Sequence, residues 1–198
     1  KIKERLMENQ PARTLQFEAE EQKLLKSFGL LTQKPVIYLA NVHENQINEE
    51  NAYVTNLKSL ALQEKSEVII ISAQIESEIA FLEDDDRKAF LNDLGLTQSG
   101  LDKVVQASYN LLGLATYFTA GPQEARAWTF SKGMKAPECA GIIHTDFQRG
   151  FIKAEVISYN DLVNAGSEKG AREQGKVRLE GKEYVMKDGD VCHFRFNV

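Results

Sequence analysis

The chain has 198 residues, with 24 basic and 29 acidic side chains, a formal charge of -5, 42% hydrophobic residues, two cysteines and one tryptophan. That balance excludes a disordered tail, a collagen-like repeat and a disulfide-stapled scaffold, and the length suffices for a real core in one or two domains. The longest apolar runs, Val36 to Ala40 and Val68 to Ile71, fall far short of the ~18 residues that span a bilayer, so no membrane association is expected.

The opening, Lys1-Ile2-Lys3-Glu4-Arg5, is charged where a signal peptide needs an apolar stretch. With only two cysteines, a reducing, cytoplasmic setting is expected. The first residue is not methionine and the opening reads as the middle of a helix, so a fragment of a longer protein is expected.

Residues 1 to 31 carry helical spacing, with Ile2 and Leu6 four apart and Phe17, Leu24, Leu25, Phe28 and Leu31 following, and Pro11 dividing two helices. From Thr32 the pattern changes. The run Val36 to Ala40, an amphipathic helix marked by Tyr53, Val54, Leu57, Leu60 and Ala61, and the run Val68 to Ile71 predict a β-α-β unit. Continuous apolar runs predict parallel strands buried on both faces. Helical signals follow at Glu78 to Leu82 and at Asp86 to Leu94, which Gly95 would cap. Ser99 caps a third helix with Leu101, Val104, Val105, Leu111 and Leu112 on its face, ending at Gly113.

Beyond Gly113 the signals shorten and alternate. Strands are predicted at Tyr117 to Thr119, Arg126 to Phe130, Phe151 to Ile157, Glu183 to Met186 and Val191 to Val198. In the last, Cys192, Phe194, Phe196 and Val198 would face a core, and His193, Arg195 and Asn197 water. Pro137 opens a helix carrying Ala140, Ile143, His144 and Phe147, and Asp188-Gly189 marks a turn. This is the pattern of a small α+β domain. Residues 114 to 198 hold 12 basic and 11 acidic side chains, net +1, against 12 and 18, net -6, in residues 1 to 113. Any polyanion contact is therefore expected in the later part.

Asn41, Val42, His43 and Glu44 follow the first apolar run, and Ser72 and Ala73 follow the second. Both sets stand at the carboxyl ends of parallel strands, where open α/β sheets bind ligands. In P-loop GTPases the corresponding loops read the base, with Asn, Lys, any residue and Asp after one strand and Ser-Ala after the next. A carboxylate suits guanine because it accepts from two adjacent donors. Here Val42 stands for the lysine and Glu44 for the aspartate. The exchange removes an apolar stem that would flank the base and moves the acid by one methylene, so guanine selectivity should weaken. Read alone, the same residues also fit an Asx-type turn or helix cap.

The chain resembles the carboxyl-terminal portion of YchF-type ATPases, Obg-related P-loop proteins. The resemblance is carried by Lys34 to Glu44 (KPVIYLANVHE), Ser72 to Ile79 (SAQIESEI), Leu114 to Trp128 (LATYFTAGPQEARAW), Ile143 to Ala154 (IHTDFQRGFIKA) and Lys187 to Val198 (KDGDVCHFRFNV). It implies an α/β protein in three parts. Residues 1–20 end a helical, coiled-coil-like insertion, 21–113 form the C-terminal part of a P-loop nucleotide-binding domain, and 114–198 form an α+β, ubiquitin-like β-grasp (TGS) domain. It implies that Asn41, Val42 and Glu44 line an adenine pocket with Ser72 and Ala73 beneath the base. The implied ligand is ATP, with GTP used less well, and Mg2+ is held by residues upstream of this chain. The implied partner is the ribosome, at its large subunit, with RNA as a contact and no DNA.

A P-loop cradles phosphate on backbone amides and binds magnesium through a Ser or Thr hydroxyl. The one near match, Gly170 to Lys176, is followed by Val177, which has no hydroxyl, and no buried strand precedes it. This chain alone is therefore expected to be catalytically inactive. Cys139, His144, Cys192 and His193 lack the spacing of a zinc site and read as structural. The run Glu83 to Asp86 reads as a solvated helix start. Arg126, Lys132, Lys135, Arg149 and Lys153 lie among Tyr117, Trp128, Phe130, Phe147 and Phe151, a mixture that could contact RNA phosphates and stack on bases. The competing function is a non-catalytic RNA- or protein-binding module.

Overall fold

The computed structural model describes residues 1–121 and 124–197. Pro122 and Gln123 of the third resemblance block, and Val198 of the last predicted strand, lie outside the described residues. The chain divides into two compact units, Lys1–Leu112 and Gly113–Val198.

In the first unit, α1 (Ile2–Met7) and α2 (Ala19–Lys26) lie on either side of Pro11. Phe17 falls between them, because the Glu18 N–H bonds the Glu21 carboxylate and starts α2 after it. A parallel pair follows: β1 (Ile37–Asn41), α3 (Ala52–Glu64) and β2 (Glu67–Ile71), in register from Ile37↔Glu67 to Asn41↔Ile71. The Asn51 side chain caps α3 through the Val54 N–H at 2.9 Å, and Lys65 ends it in the left-handed region at φ 55°. Glu64 accepts from Tyr38 on β1 at 2.6 Å and from Arg13 at 2.5 Å, fastening the amino-terminal segment to this unit.

Two expectations need correction here. The strands are not buried on both faces: Leu39 is 48% exposed and only Ala40 and Ile69 are fully covered. Among the described residues this sheet has two strands, so each lacks a neighbour on one edge. The helix expected at Glu78 to Leu82 instead begins at the end of β2, as α4 (Ala73–Ile79), and buries Ile75 and Ile79. Next come α5 (Asp84–Asp93), whose first turn carries three aspartates, and α6 (Gly100–Leu111), capped by Ser99 through the Asp102 N–H at 3.0 Å.

The second unit contains β3 (Leu114–Ala120), β4 (Ala125–Ser131), α7 (Ala136–Ile143), α8 (Thr145–Arg149), β5 (Phe151–Ser158), α9 (Tyr159–Ala165), α10 (Glu168–Glu173), β6 (Arg178–Glu180) and β7 (Asp190–Phe196). Strand order is β4-β3-β7-β5-β6, with β3 and β7 parallel and the other pairs antiparallel. Tyr117, Phe130, Phe151 and Phe194 form the core with Val156, Met186 and both cysteines. Each of those large side chains contributes about 1.5–3 kcal/mol by leaving water. The Tyr117 hydroxyl donates to the Cys139 carbonyl at 2.9 Å, locking α7 onto β3.

Glu183 to Met186 is not a strand of this sheet. Its backbone pairs with the segment leading into α7 instead: the Met186 N–H donates to the Met134 carbonyl and the N–H of Ala136, the first residue of α7, to the Tyr184 carbonyl. The edge place belongs to β6. Cys192 and Phe194 face inward as predicted, but Phe196 is 38% exposed and stacks on Phe147 with ring centroids 3.9 Å apart. Among the described residues no helix is long and apolar enough to cross a membrane.

Candidate functional site

The parallel register sets the ends of β1 and β2 side by side, and the Val42 N–H extends the ladder by donating to the Ile71 carbonyl at 2.9 Å. The Asn41 side chain then crosses between the loops. Its Oδ1 accepts from the Ala73 N–H at 2.9 Å, satisfying an amide that the first turn of α4 would leave orphaned. With Oδ1 engaged, Nδ2 is the donor that Asn41 can offer outward. Glu44 opens a single 3-10 turn, Glu44–Gln46, and its carboxylate accepts from Gln74 Nε2 at 3.4 Å. Asn41, Val42, Glu44 and Ala73 are therefore brought together by two parallel strand ends.

Ser72, between β2 and α4, is the buried member of the pair. It is 1% exposed and its Oγ has no hydrogen-bond partner among the described residues. A buried hydroxyl without a partner costs stability. The loop is braced from behind. Glu76 accepts from the Gly100 and Leu101 amides at 2.7 and 3.1 Å, joining α4 to the start of α6. A Cβ on Gly100 would stand 2.7 Å from Ile71 Cγ2, so only glycine permits this approach to β2. A cleft of about 310 Å3 opens on the α3 side, bordered by Asn41, Val42, His43 and Tyr53 but not by Glu44, Ser72 or Ala73. His43 is exposed, with Nδ1 3.0 Å from Asn45 Oδ1.

Gln74 was invisible to motif reasoning. Its i,i+4 bond to Glu78 at 3.3 Å looks like an ordinary surface pair until the tertiary fold brings Glu44 to it. The near match to a P-loop does not form a cradle: Gly170 to Glu173 lie in α10, with Ala171 buried. Cys139 and Cys192 are buried thiols, and desolvation pushes Cys139 up to about 12 and raises Cys192 as well.

The five basic residues do not form one surface. Arg126 lies 4.2 Å over the Trp128 ring on β4, on the side of buried Phe130, while Lys153 alternates with buried Ala154 on β5, two strands away. Lys132 and Lys135 flank the turn after β4, where Lys135 pairs with Glu183 at 2.5 Å, and exposed Arg149 ends α8. Tyr117, Phe130 and Phe151 are core residues, 0–3% exposed, so they cannot stack on bases.

Residues 114–197 match the family model YchF-GTPase_C, described as a protein of unknown function (DUF933). The ribosome-binding ATPase YchF of Bacillus subtilis (strain 168) is 58% identical over 200 residues, covering all of this chain and 55% of that protein. The protein of the same name from Haemophilus influenzae is 50% identical over 186 residues, covering 94% of this chain and 51% of that one. The Schizosaccharomyces pombe YchF GTPase structure superposes with a TM-score of 0.83 at 35% identity, covering 96% of this chain and 50% of that one. A GTP-binding protein of Pyrococcus horikoshii OT3, at 16% identity and a TM-score of 0.59, shares the fold. The chain thus spans about half the length of the curated relatives it matches. Its mixed α/β fold matches YchF GTPase structures, and the chain belongs to the YchF family, whose members bear the name ribosome-binding ATPase.

Proposed function

We propose that this chain supplies the base-reading loops and the docking module of a ribosome-associated, ATP-hydrolysing protein of the cytoplasm. The observation that carries the reading is the Asn41–Ala73 hydrogen bond, which joins two loops at the carboxyl edge of a parallel sheet, beside a Ser72 hydroxyl that has no partner among the described residues. ATP fits these residues. Asn41 Nδ2 donates to a ring acceptor, Val42 lies along the ring, Glu44 accepts from an exocyclic amine and Ser72 and Ala73 support the base from below. Glu44, already held by Gln74, selects adenine over guanine through the position of its carboxylate. ATP brings the transferable phosphoryl group. Its phosphates and Mg2+ take their ligands from the remainder of the longer protein, where hydrolysis would occur.

The reading of residues 114–198 as a β-grasp module of TGS type draws support from a sheet whose central strands β3 and β7 run parallel, flanked by antiparallel partners and packed on α7. The names of the relatives support docking on the ribosome, and we assign it to the large subunit.

The pocket assignment is tested in the full-length protein with Val42→Lys combined with Glu44→Asp. The expected result is a shift in the ATP to GTP affinity ratio of at least about tenfold toward GTP, equivalent to about 1.4 kcal/mol. An unchanged ratio would remove these residues from base selection.

A further inference from the structure

Gln74 is the second residue of α4, and its side chain lies between two acids. Its Nε2 donates to Glu44 Oε2 at 3.4 Å and to Glu78 Oε1 at 3.3 Å. An ionised carboxylate only accepts, so an amide placed between two of them turns its NH2 group to both. Both amide hydrogens are then spent, and Oε1 is the one side-chain atom that Gln74 has left to offer. That oxygen has no hydrogen-bond partner among the described residues, and the side chain is exposed. Glu44 keeps its other oxygen free in the same way. The Ala73 amide, which could have donated to a carbonyl, is already bound to Asn41 Oδ1 at 2.9 Å. Two acceptors, Gln74 Oε1 and Glu44 Oε1, thus stand at the junction of the two loops.

We infer that Gln74 is a specificity-determining residue that reads the exocyclic amine of adenine. The inference rests on the base-pocket reading of Asn41, Val42, Glu44, Ser72 and Ala73, and adds to it a side chain outside the loop motif. Adenine carries an NH2 group with two hydrogens to donate where guanine carries a carbonyl oxygen. The free oxygens of Glu44 and Gln74 take one of those hydrogens each. Against guanine the same two oxygens meet a third, and acceptors set against an acceptor lose their bonds to water without replacement. Glu78 serves by holding the amide in this orientation. Without that second carboxylate the group would be free to turn over and offer its NH2 to a carbonyl.

The test uses the full-length protein and measures dissociation constants for ATP, GTP and N6-methyl-ATP, in which a methyl group replaces one of the two amine hydrogens. The parent should bind N6-methyl-ATP about three- to tenfold more weakly than ATP, roughly the worth of one hydrogen bond. Gln74→Met keeps side-chain length and helix propensity on an exposed position and removes the acceptor. It should weaken ATP by about the same factor, bring N6-methyl-ATP to within about twofold of ATP, and lower the preference for ATP over GTP. Glu78→Ala should also lower that preference, but not when Gln74→Met is already present. Discrimination against N6-methyl-ATP that is the same in Gln74→Met as in the parent would overturn the inference, because methionine is as long as glutamine and a steric cause would persist. A parent that binds both nucleotides equally would overturn it too. Glu44→Ala separates this result from failure of the pocket. If Glu44→Ala weakens ATP and Gln74→Met leaves the methyl discrimination untouched, the pocket stands and the role of Gln74 falls. If neither variant alters ATP affinity, the base-pocket reading falls with it.

Discussion

Ser72 is 1% exposed, and its hydroxyl has no hydrogen-bond partner among the described residues. A buried hydroxyl with no partner costs the free protein stability, and on the proposed reading a bound base recovers that cost. Ser72→Ala should therefore raise the stability of the unliganded protein by about 1 kcal/mol in urea denaturation and lower ATP affinity of the full-length protein two- to tenfold, roughly the worth of one hydrogen bond. Reduced stability with unaltered ATP affinity would make the hydroxyl a structural element and nothing more. Asn41, Val42, Glu44, Ser72 and Ala73 were all legible as a group because each follows an apolar run of strand length. The bond from Gln74 to Glu44 was not, because residues thirty apart in sequence meet only when β1 and β2 pair.

Among elements, the junction of β2, α4 and α6 decides whether the base-reading loops hold their shape. Alanine at a helix start would ordinarily gain on propensity, yet at Gly100 the new Cβ meets Ile71 Cγ2 at 2.7 Å and Glu76 Oε1 at 2.8 Å. Crowding by a strand side chain and the capping carboxylate outweighs propensity, so Gly100→Ala should cost about 1–3 kcal/mol in thermal or chemical unfolding. A variant as stable as the parent would show that α6 can move away from β2 freely.

On the second sheet, Glu155 links α10 to β7. Hydrogen bonds from Arg172, then from Arg195, hold its carboxyl below the usual value of 4.5. A lowered folded-state value means that this contribution is fully present above about pH 4.5 and is lost as pH falls through the folded value. Urea midpoints of the second unit should accordingly decline on acidification below pH 4.5, and Glu155→Gln should flatten that part of the profile. An identical profile in the variant would assign the acid sensitivity to other carboxylates.

At the scale of the whole molecule, the two units differ in how completely they bury their apolar surface. The second closes its core within itself around Tyr117, Phe130, Phe151 and Phe194. Residues 113–198 produced alone should unfold in one cooperative urea transition with coincident fluorescence and circular dichroism curves. Residues 1–112 produced alone should not. Leu39 on β1 is 48% exposed and Leu101 and Leu112 on or beside α6 are 63% and 61% exposed, and the parallel pair presents unpaired strand edges. A sharp transition in the first unit, or its absence in the second, would reverse that ranking.

The amino-acid order by itself determined the β-α-β unit at 36–71, the caps at Ser99 and Gly113, the inward facing of Cys192 and Phe194 in the last strand and the loop pair at 41–44 and 72–73. Those features rest on contacts between near neighbours in the chain: hydrophobic period, a capping side chain, a glycine able to take positive φ. Tertiary structure alone decided that Glu183 to Met186 leaves the sheet to Arg178–Glu180, that α4 starts where β2 ends, and that Arg172 and Arg195 meet at Glu155. Strand pairing and register bring together residues tens of positions apart, and the local pattern of a segment carries the same apolar alternation whichever edge it joins.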